Sequence, residues 1–120
     1  MELSAPDARP GHSADAVLRD DYDAWYMPRS EDGPAELIIR WPLPQVVRRV
    51  VLKENILLSQ RVERFAIDWQ TDAGWREACT GTVIGYKKIA VLPAQETTAL
   101  RIRILDARCA PTLSFVGVYA

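Results

Sequence analysis

One histidine and two cysteines are all that these 120 residues offer to a transition metal beyond carboxylates. A zinc site needs a cluster of His, Cys and carboxylate ligands. Cys79 in "EACTG" and Cys109 in "ARCAP" have neither a CxxC spacing nor a histidine nearby, and His12 sits far off in the first segment. No such site is expected. The cysteines read as two buried free thiols; one disulfide between them is the alternative. The sequence also lacks any run of 18 apolar residues, so no helical membrane span is expected. It lacks a charge excess: the net charge of -1 supplies no basic field, and nucleic acid is not expected as a partner. No internal repeat or low-complexity segment is visible. The opening "MELSAPDARPG" has no basic-then-apolar signal pattern, so the chain is expected either to be cytoplasmic or to be cut from a longer one.

What is present is a globular composition, 48% apolar and 26% charged. The length suits one domain and one core. It is about half of what a (β/α)₈ barrel needs, which excludes that architecture for these residues. Residues 1–13, with Pro6, Pro10 and Gly11, read as an irregular lead-in to a single domain over 14–120. "SADAVLRD" predicts a short helix capped by Ser13, with Ala14, Val17 and Leu18 on one face.

Beyond it the helical signal stops and short runs follow. "AELIIRW" places Leu37, Ile39 and Trp41 on one face and ends at Pro42. "VVRRVVLK" starts after Pro44. "ERFAIDWQ" alternates Phe65, Ile67 and Trp69 against Arg64, Ala66 and Asp68. "TDAGW" is a hairpin signal. "WREACTGTV", "YKKIAVL", "LRIRIL" and "TLSFVGVY" complete the set. About eight short strands without intervening helices call for mostly antiparallel sheets, packed face to face as a β-sandwich or jelly roll. The tryptophans at 25, 41, 69 and 75 read as core or rim anchors. Trp25, in a polar stretch, is the one best placed to stack on a sugar.

Three stretches carry a resemblance: "VVLKENILLSQRVERF", "GWREACTGTVIGYKKI" and "LRIRILDARCAPTLSFVGVY", with "DAVLRDDYDAWY" matching more loosely. Residues 47–119 resemble the C-terminal β-sandwich of bacterial α-L-fucosidases of glycoside hydrolase family 29. The wider likeness is to galactose-binding-like domains, which include factor V/VIII type C (discoidin) domains and family 32 carbohydrate-binding modules. The resemblance implies an all-β jelly roll with about eight strands. It also implies a non-catalytic accessory role, because the nucleophile and acid of that family lie in a barrel absent from these residues. Such a module would support or dock on the glycosidase domain, in cis or in trans, and contribute to binding fucosylated or galactosylated glycans. The parent enzyme would be a bacterial protein, secreted, periplasmic or cytoplasmic. An autonomous lectin-like module is the alternative.

The resemblance also implies a calcium ion near an Asp-rich turn. Asp20, Asp21 and Asp23 keep part of that turn, but Arg19 and Phe115 stand where oxygen ligands belong. Calcium wants six to eight oxygens, so no cofactor is expected, with Asp21 and Asp23 as weak candidates only. As a pair of hydrolytic carboxylates they share one turn and lack the separation that glycoside hydrolysis requires. The groups left at the expected loop end are Glu54, Asn55, Gln60, Arg61, Tyr86 and Arg108, with Trp25 beside them. Three roles stay open for the stretch "ENILLSQR": internal ties between loops, contact with a catalytic domain, and contact with sugar. Ile56, Leu57 and Leu58 are awkward in an exposed loop and read as a docking surface.

Overall fold

Strict alternation in the sequence becomes one inward face in the structure. Leu37, Ile39, Phe65, Ile67, Leu100, Ile102 and Ile104 are all fully buried. The structure is a computed structural model and describes residues 2–18, 24–29, 35–58 and 60–120. Its strands are β1 (Glu2–Ser4), β2 (Ala35–Lys53), β3 (Val62–Thr71), β4 (Gly74–Gly81), β5 (Lys88–Ala107) and β6 (Phe115–Tyr119). Every pairing is antiparallel. The order is β1-β2-β5-β3-β4, and β6 pairs with β2.

Two long strands make the sandwich. The first part of β2 pairs with β1 and with β5 from Ala99 to Ile104. Its last part, from Arg49 to Lys53, pairs with β6 and with β5 from Lys88 to Val91. The register jumps between Arg40↔Ala99 and Gln45↔Thr97, and again between Val47↔Gln95 and Arg49↔Val91. Pro42, Pro44 and Pro93 fall at these jumps, where a missing N–H costs no ladder bond. Strands that bend in this way pass from one layer to the other. Both layers feed a single core, with Leu37 and Ile102 from the first and Val50, Leu52 and Val116 from the second. Burying each such side chain stabilises the fold by about 1.5–3 kcal/mol.

The all-β sandwich expected from the sequence is therefore the fold, with a different division of strands. The runs before Pro42 and after Pro44 are one strand, and so are "YKKIAVL" and "LRIRIL" from Lys88 onward. Prolines bend these strands rather than end them. With β2 and β5 each cut into two at the bend, the six strands become eight segments. The lead-in is not irregular throughout, since Leu3 pairs with Ile39 and Ala8 bridges Pro28. The predicted helix is a 3₁₀ turn, Ala14–Leu18, with Ala14 and Val17 buried but Leu18 48% exposed. The hairpin forms as expected, with Thr71↔Gly74 as the last pair of β3 and β4. Among the described residues no helix is long and apolar enough to cross a membrane.

Candidate functional site

At one end of the sandwich four strand ends converge: the end of β2, the start of β3 and both ends of β5. Glu54 is the first residue past β2, and it is completely buried. Its Oε1 accepts the backbone N–H groups of Arg61 at 2.7 Å and Val62 at 3.0 Å. Its Oε2 accepts the N–H of Gly85 at 2.7 Å. Val62 opens β3 in the first layer, and Gly85 lies just before β5 enters the second. One carboxyl group thus closes the open end of the sandwich. Gly85 has φ 63°, a left-handed conformation, and a Cβ there would lie 3.0 Å from the Gln60 side-chain oxygen. Glycine lets this turn present its N–H to Glu54.

Asn55 is buried too. Its N–H donates to the Thr112 hydroxyl at 3.2 Å, and its Oδ1 accepts from the N–H of Leu57 at 3.3 Å. The N–H of Leu58 donates to the Asn55 carbonyl at 2.9 Å. This caps a 3₁₀ turn, Ile56–Leu58. With about three residues per turn, the three apolar side chains splay apart. Ile56 is half-buried, Leu58 is 36% exposed and Leu57 is 72% exposed.

Arg61 donates through its guanidinium to the carbonyls of Ala110 at 3.0 Å and Leu58 at 3.1 Å. Arg108 donates its N–H to the Arg61 carbonyl at 2.9 Å and its guanidinium to the Gln60 carbonyl. The Ser114 N–H reaches the Lys53 carbonyl at 2.8 Å. The loops 54–61, 82–87 and 108–114 are therefore sewn together by main-chain acceptors and donors.

The residues predicted to gather do gather, but not all face solvent. Glu54 and Asn55 are corrected from candidate ligand contacts to interior ties, because both are buried and engaged by backbone groups. Gln60, Tyr86 and Arg108 are exposed, Tyr86 by 63%, and Arg61 is half-buried. Trp25 lies on the neighbouring segment, where Tyr26 bridges Leu113. One face of its ring is occupied by His12, with centroids 4.7 Å apart and planes 26° off parallel. Its indole N–H is buried with no acceptor among the described residues. Asp20, Asp21 and Asp23, with Arg19, lie outside the described residues. Among the described residues no three His, Cys, Asp or Glu side chains cluster as metal ligands. Phe115 instead packs beneath the Lys53 ammonium, 5.3 Å from its ring centroid. Both cysteines are free thiols, and burial pushes the Cys79 thiol up from its ordinary value.

A second cluster was not singled out in the sequence. Asp68 lies buried on the outer face of the first layer. It accepts from Arg101 at 2.8 Å and twice from Arg103, at 2.6 and 2.9 Å. Arg103 reaches on to Glu77 at 3.2 Å, and Arg101 lies over Trp75, 4.8 Å from its ring centroid. The alternation of "ERFAIDWQ" and "LRIRIL" put these residues on one face, but only strand register reveals that Asp68 opposes Arg101.

No family model matches the chain. A rice (Oryza sativa subsp. japonica) protein assigned as an α-L-fucosidase is 29% identical over 103 residues, which are 86% of this chain and 20% of that protein. The solved glycoside hydrolase family 29 fucosidase E1_10125 of Ruminococcus gnavus, in complex with fucose, superposes with a TM-score of 0.89 at 18% identity. That match covers 98% of this chain and 25% of the fucosidase. Chitosan-binding module 1 from a chitosanase/glucanase of Paenibacillus sp. IK-5 superposes with a TM-score of 0.85 at 16% identity, over 99% of this chain and 94% of that module. The chain spans about a fifth of the length of the curated relatives it matches. It has the β-sandwich fold of a carbohydrate-binding module and is similar to one small segment of α-L-fucosidases.

Proposed function

We propose that this chain is a non-catalytic accessory module of an α-L-fucosidase, seated on the glycosidase domain and contributing to glycan binding. The observation that carries the reading is the coverage: 86% of this chain aligns with only a fifth of a fucosidase. The remaining four fifths of such a protein is where a catalytic barrel would lie. The sewn loop end is consistent with this role. Its buried carboxyl group is spent on backbone N–H groups, and its exposed groups include Leu57, Leu58, Val83, Tyr86, Gln60 and Arg108. An apolar residue with a polar surround is a common build for a protein contact, and Leu57 is the docking residue of this proposal.

A chimera tests it. The chain replaces the corresponding quarter of the Ruminococcus gnavus fucosidase. A soluble chimera that hydrolyses an aryl α-L-fucoside, where the truncated enzyme does not, supports the reading. A chimera no better than the truncated enzyme refutes it.

One observation favours a second reading, an autonomous binding module. The chitosan-binding module matches this chain almost end to end. Glycan binding by the isolated chain at the exposed loop end, with no gain in the chimera, would favour that reading.

A further inference from the structure

The second layer turns an apolar face to solvent. On β2 the inward residues Val50 and Leu52 are fully buried, so Arg49, Val51 and Lys53 belong to the opposite face, where Val51 is itself covered, at 9% exposure. Strand register lines up their neighbours. Tyr119 and Val91 flank Arg49, and Gly117 and Ile89 flank Val51. Val91 is 72% exposed, Ile89 49% and Tyr119 46%. Such a patch on a sheet face is unusual for a surface without a partner.

Its chemistry is one-sided. Arg49, Val51, Lys87, Ile89 and Tyr119 line a shallow depression of about 230 Å³ on this face. No carboxylate is among the described residues that line it. Among the described residues neither Arg49 nor Lys87 makes an ion pair. With Lys53 the face holds three cations in a chain of net charge -1, which leaves -4 for everything else. The aromatic part is shaped by Gly117. A Cβ there would lie 2.7 Å from the Tyr119 hydroxyl and 2.9 Å from Phe115 Cε2. The Tyr119 ring therefore lies back along its strand over the glycine. Its hydroxyl edge meets the glycine, the ring stays 46% exposed, and Arg49 and Lys87 line the same depression.

We infer that this face binds an anionic glycan: a pyranose ring rests on Tyr119 and the aliphatic floor, and its carboxylate or sulfate pairs with Arg49 and Lys87. The inference rests on the glycan-binding part of the accessory-module reading. An apolar wall with a few aimed polar groups is the usual build of a small-ligand site. The depression is smaller than the roughly 300–1,000 Å³ that encloses a drug-sized molecule. It suits a ring lying on the surface rather than one engulfed. A lining that holds Arg49 and Lys87 and, among the described residues, no carboxylate selects for negative charge, and a guanidinium can hold a carboxylate or sulfate through two parallel bonds.

The test titrates the whole chain with three galactose-based oligosaccharides of equal length: neutral, uronate and sulfated. Calorimetry gives affinities and amide NMR shifts give the location. At least one anionic probe should bind tenfold or more tightly than the neutral one, shifting residues 49–51, 89–91 and 117–119. Whichever anion binds identifies the source of charge. Arg49→Gln and Tyr119→Ala should each weaken binding at least fivefold with an unchanged melting temperature, while Leu57→Ser should not. Equal affinity for the neutral probe overturns the site. So does binding that survives Tyr119→Ala, which would be charge attraction alone, and so do shifts confined to the loop end. If no probe binds and the fucosidase chimera stays active, this site falls and the accessory reading stands. If instead Tyr119→Ala makes the chimera insoluble and no probe binds, the face is a protein contact and the sugar site is refuted.

Discussion

Replacing Glu54 should be among the most damaging single changes in this domain. Glu54→Ala strands three backbone N–H groups, those of Arg61, Val62 and Gly85. Each orphaned buried donor costs about 1–3 kcal/mol. Some water will enter the vacated space, so the total should fall near 3–6 kcal/mol. That is a large part of the roughly 5–15 kcal/mol that holds a typical domain folded. Glu54→Gln is the sharper variant, because its shape is conserved. An amide has one acceptor oxygen. If that oxygen keeps Arg61 and Val62, the NH₂ group faces the Gly85 N–H, donor against donor. Flipping the amide moves the conflict to the other two. About 2–4 kcal/mol should be lost, from one hydrogen bond destroyed and one donor left buried. Urea denaturation reads both through the midpoint, with the slope showing whether the native state stays compact. A loss below about 1 kcal/mol for Glu54→Gln would refute the claim that this carboxyl group closes the sandwich.

Leu57→Ser should cost less than about 1 kcal/mol, because the side chain is already 72% exposed; a loss of about 2 kcal/mol or more in urea would place Leu57 in the core and refute its proposed docking role. Asp68→Asn should cost about 1–3 kcal/mol by denaturation, less than a fully buried pair because Arg101 and Arg103 retain some access to water; no loss would make the cluster decorative. Tyr26→Phe should leave stability at neutral pH unchanged or slightly higher, since the hydroxyl is buried with no partner among the described residues. Burial, with Asp7 and Glu36 adding to it, raises the Tyr26 pKa above its ordinary value. The native state therefore holds a proton that the unfolded state releases above about pH 10. Stability linked to Tyr26 is complete below that pH and is lost as pH rises toward the folded value. Melting curves of the native chain and Tyr26→Phe should converge at neutral pH and separate above pH 10; parallel curves would refute the linkage.

The fold was legible because period-2 alternation survives wherever one face of a strand is buried. "LRIRIL" needed nothing else, whereas in "ERFAIDWQ" the alternation gave the inward face but Ala66 and Asp68 on the other face are buried as well. What could not be read was continuity. Pro42, Pro44 and Pro93 are local stop signals, and only the far pairings Gln45↔Thr97 and Arg49↔Val91 show that each strand continues past its bend. The loop-end residues were legible as a group, but their directions were not. Glu54 and Asn55 look polar and exposed in a string of letters. Their burial depends on Gly85, 31 residues away from Glu54, and on Thr112, 57 away from Asn55. A signal was there: a glutamate just past a Val-rich strand end, with a glycine in a later turn able to offer its N–H. The outward face of the second layer was equally hidden, because "VVRRVVLK" does not alternate and so conceals which residues face out.

The two exposed surfaces of this domain differ in how they are held, and that bears on what each can do. The loop end is locked by Glu54, Asn55 and Arg61, all bonded to main-chain atoms, so its exposed Leu57, Tyr86 and Arg108 stand on a rigid base. A rigid base suits contact with another rigid body, because little ordering remains to oppose association. The sheet face is rigid for a different reason, being a ladder of backbone hydrogen bonds, but the long side chains of its proposed site make no ion pair among the described residues. Arg49 and Lys87 must be ordered on binding, at about 0.5–1.5 kcal/mol for each immobilised side chain. A ligand must bring its own charge to offset that cost. A neutral sugar brings only its ring, and stacking on Tyr119 alone would leave both cations unpaired beside it. On this arithmetic the loop end suits the proposed docking role and the sheet face suits the proposed anionic ligand.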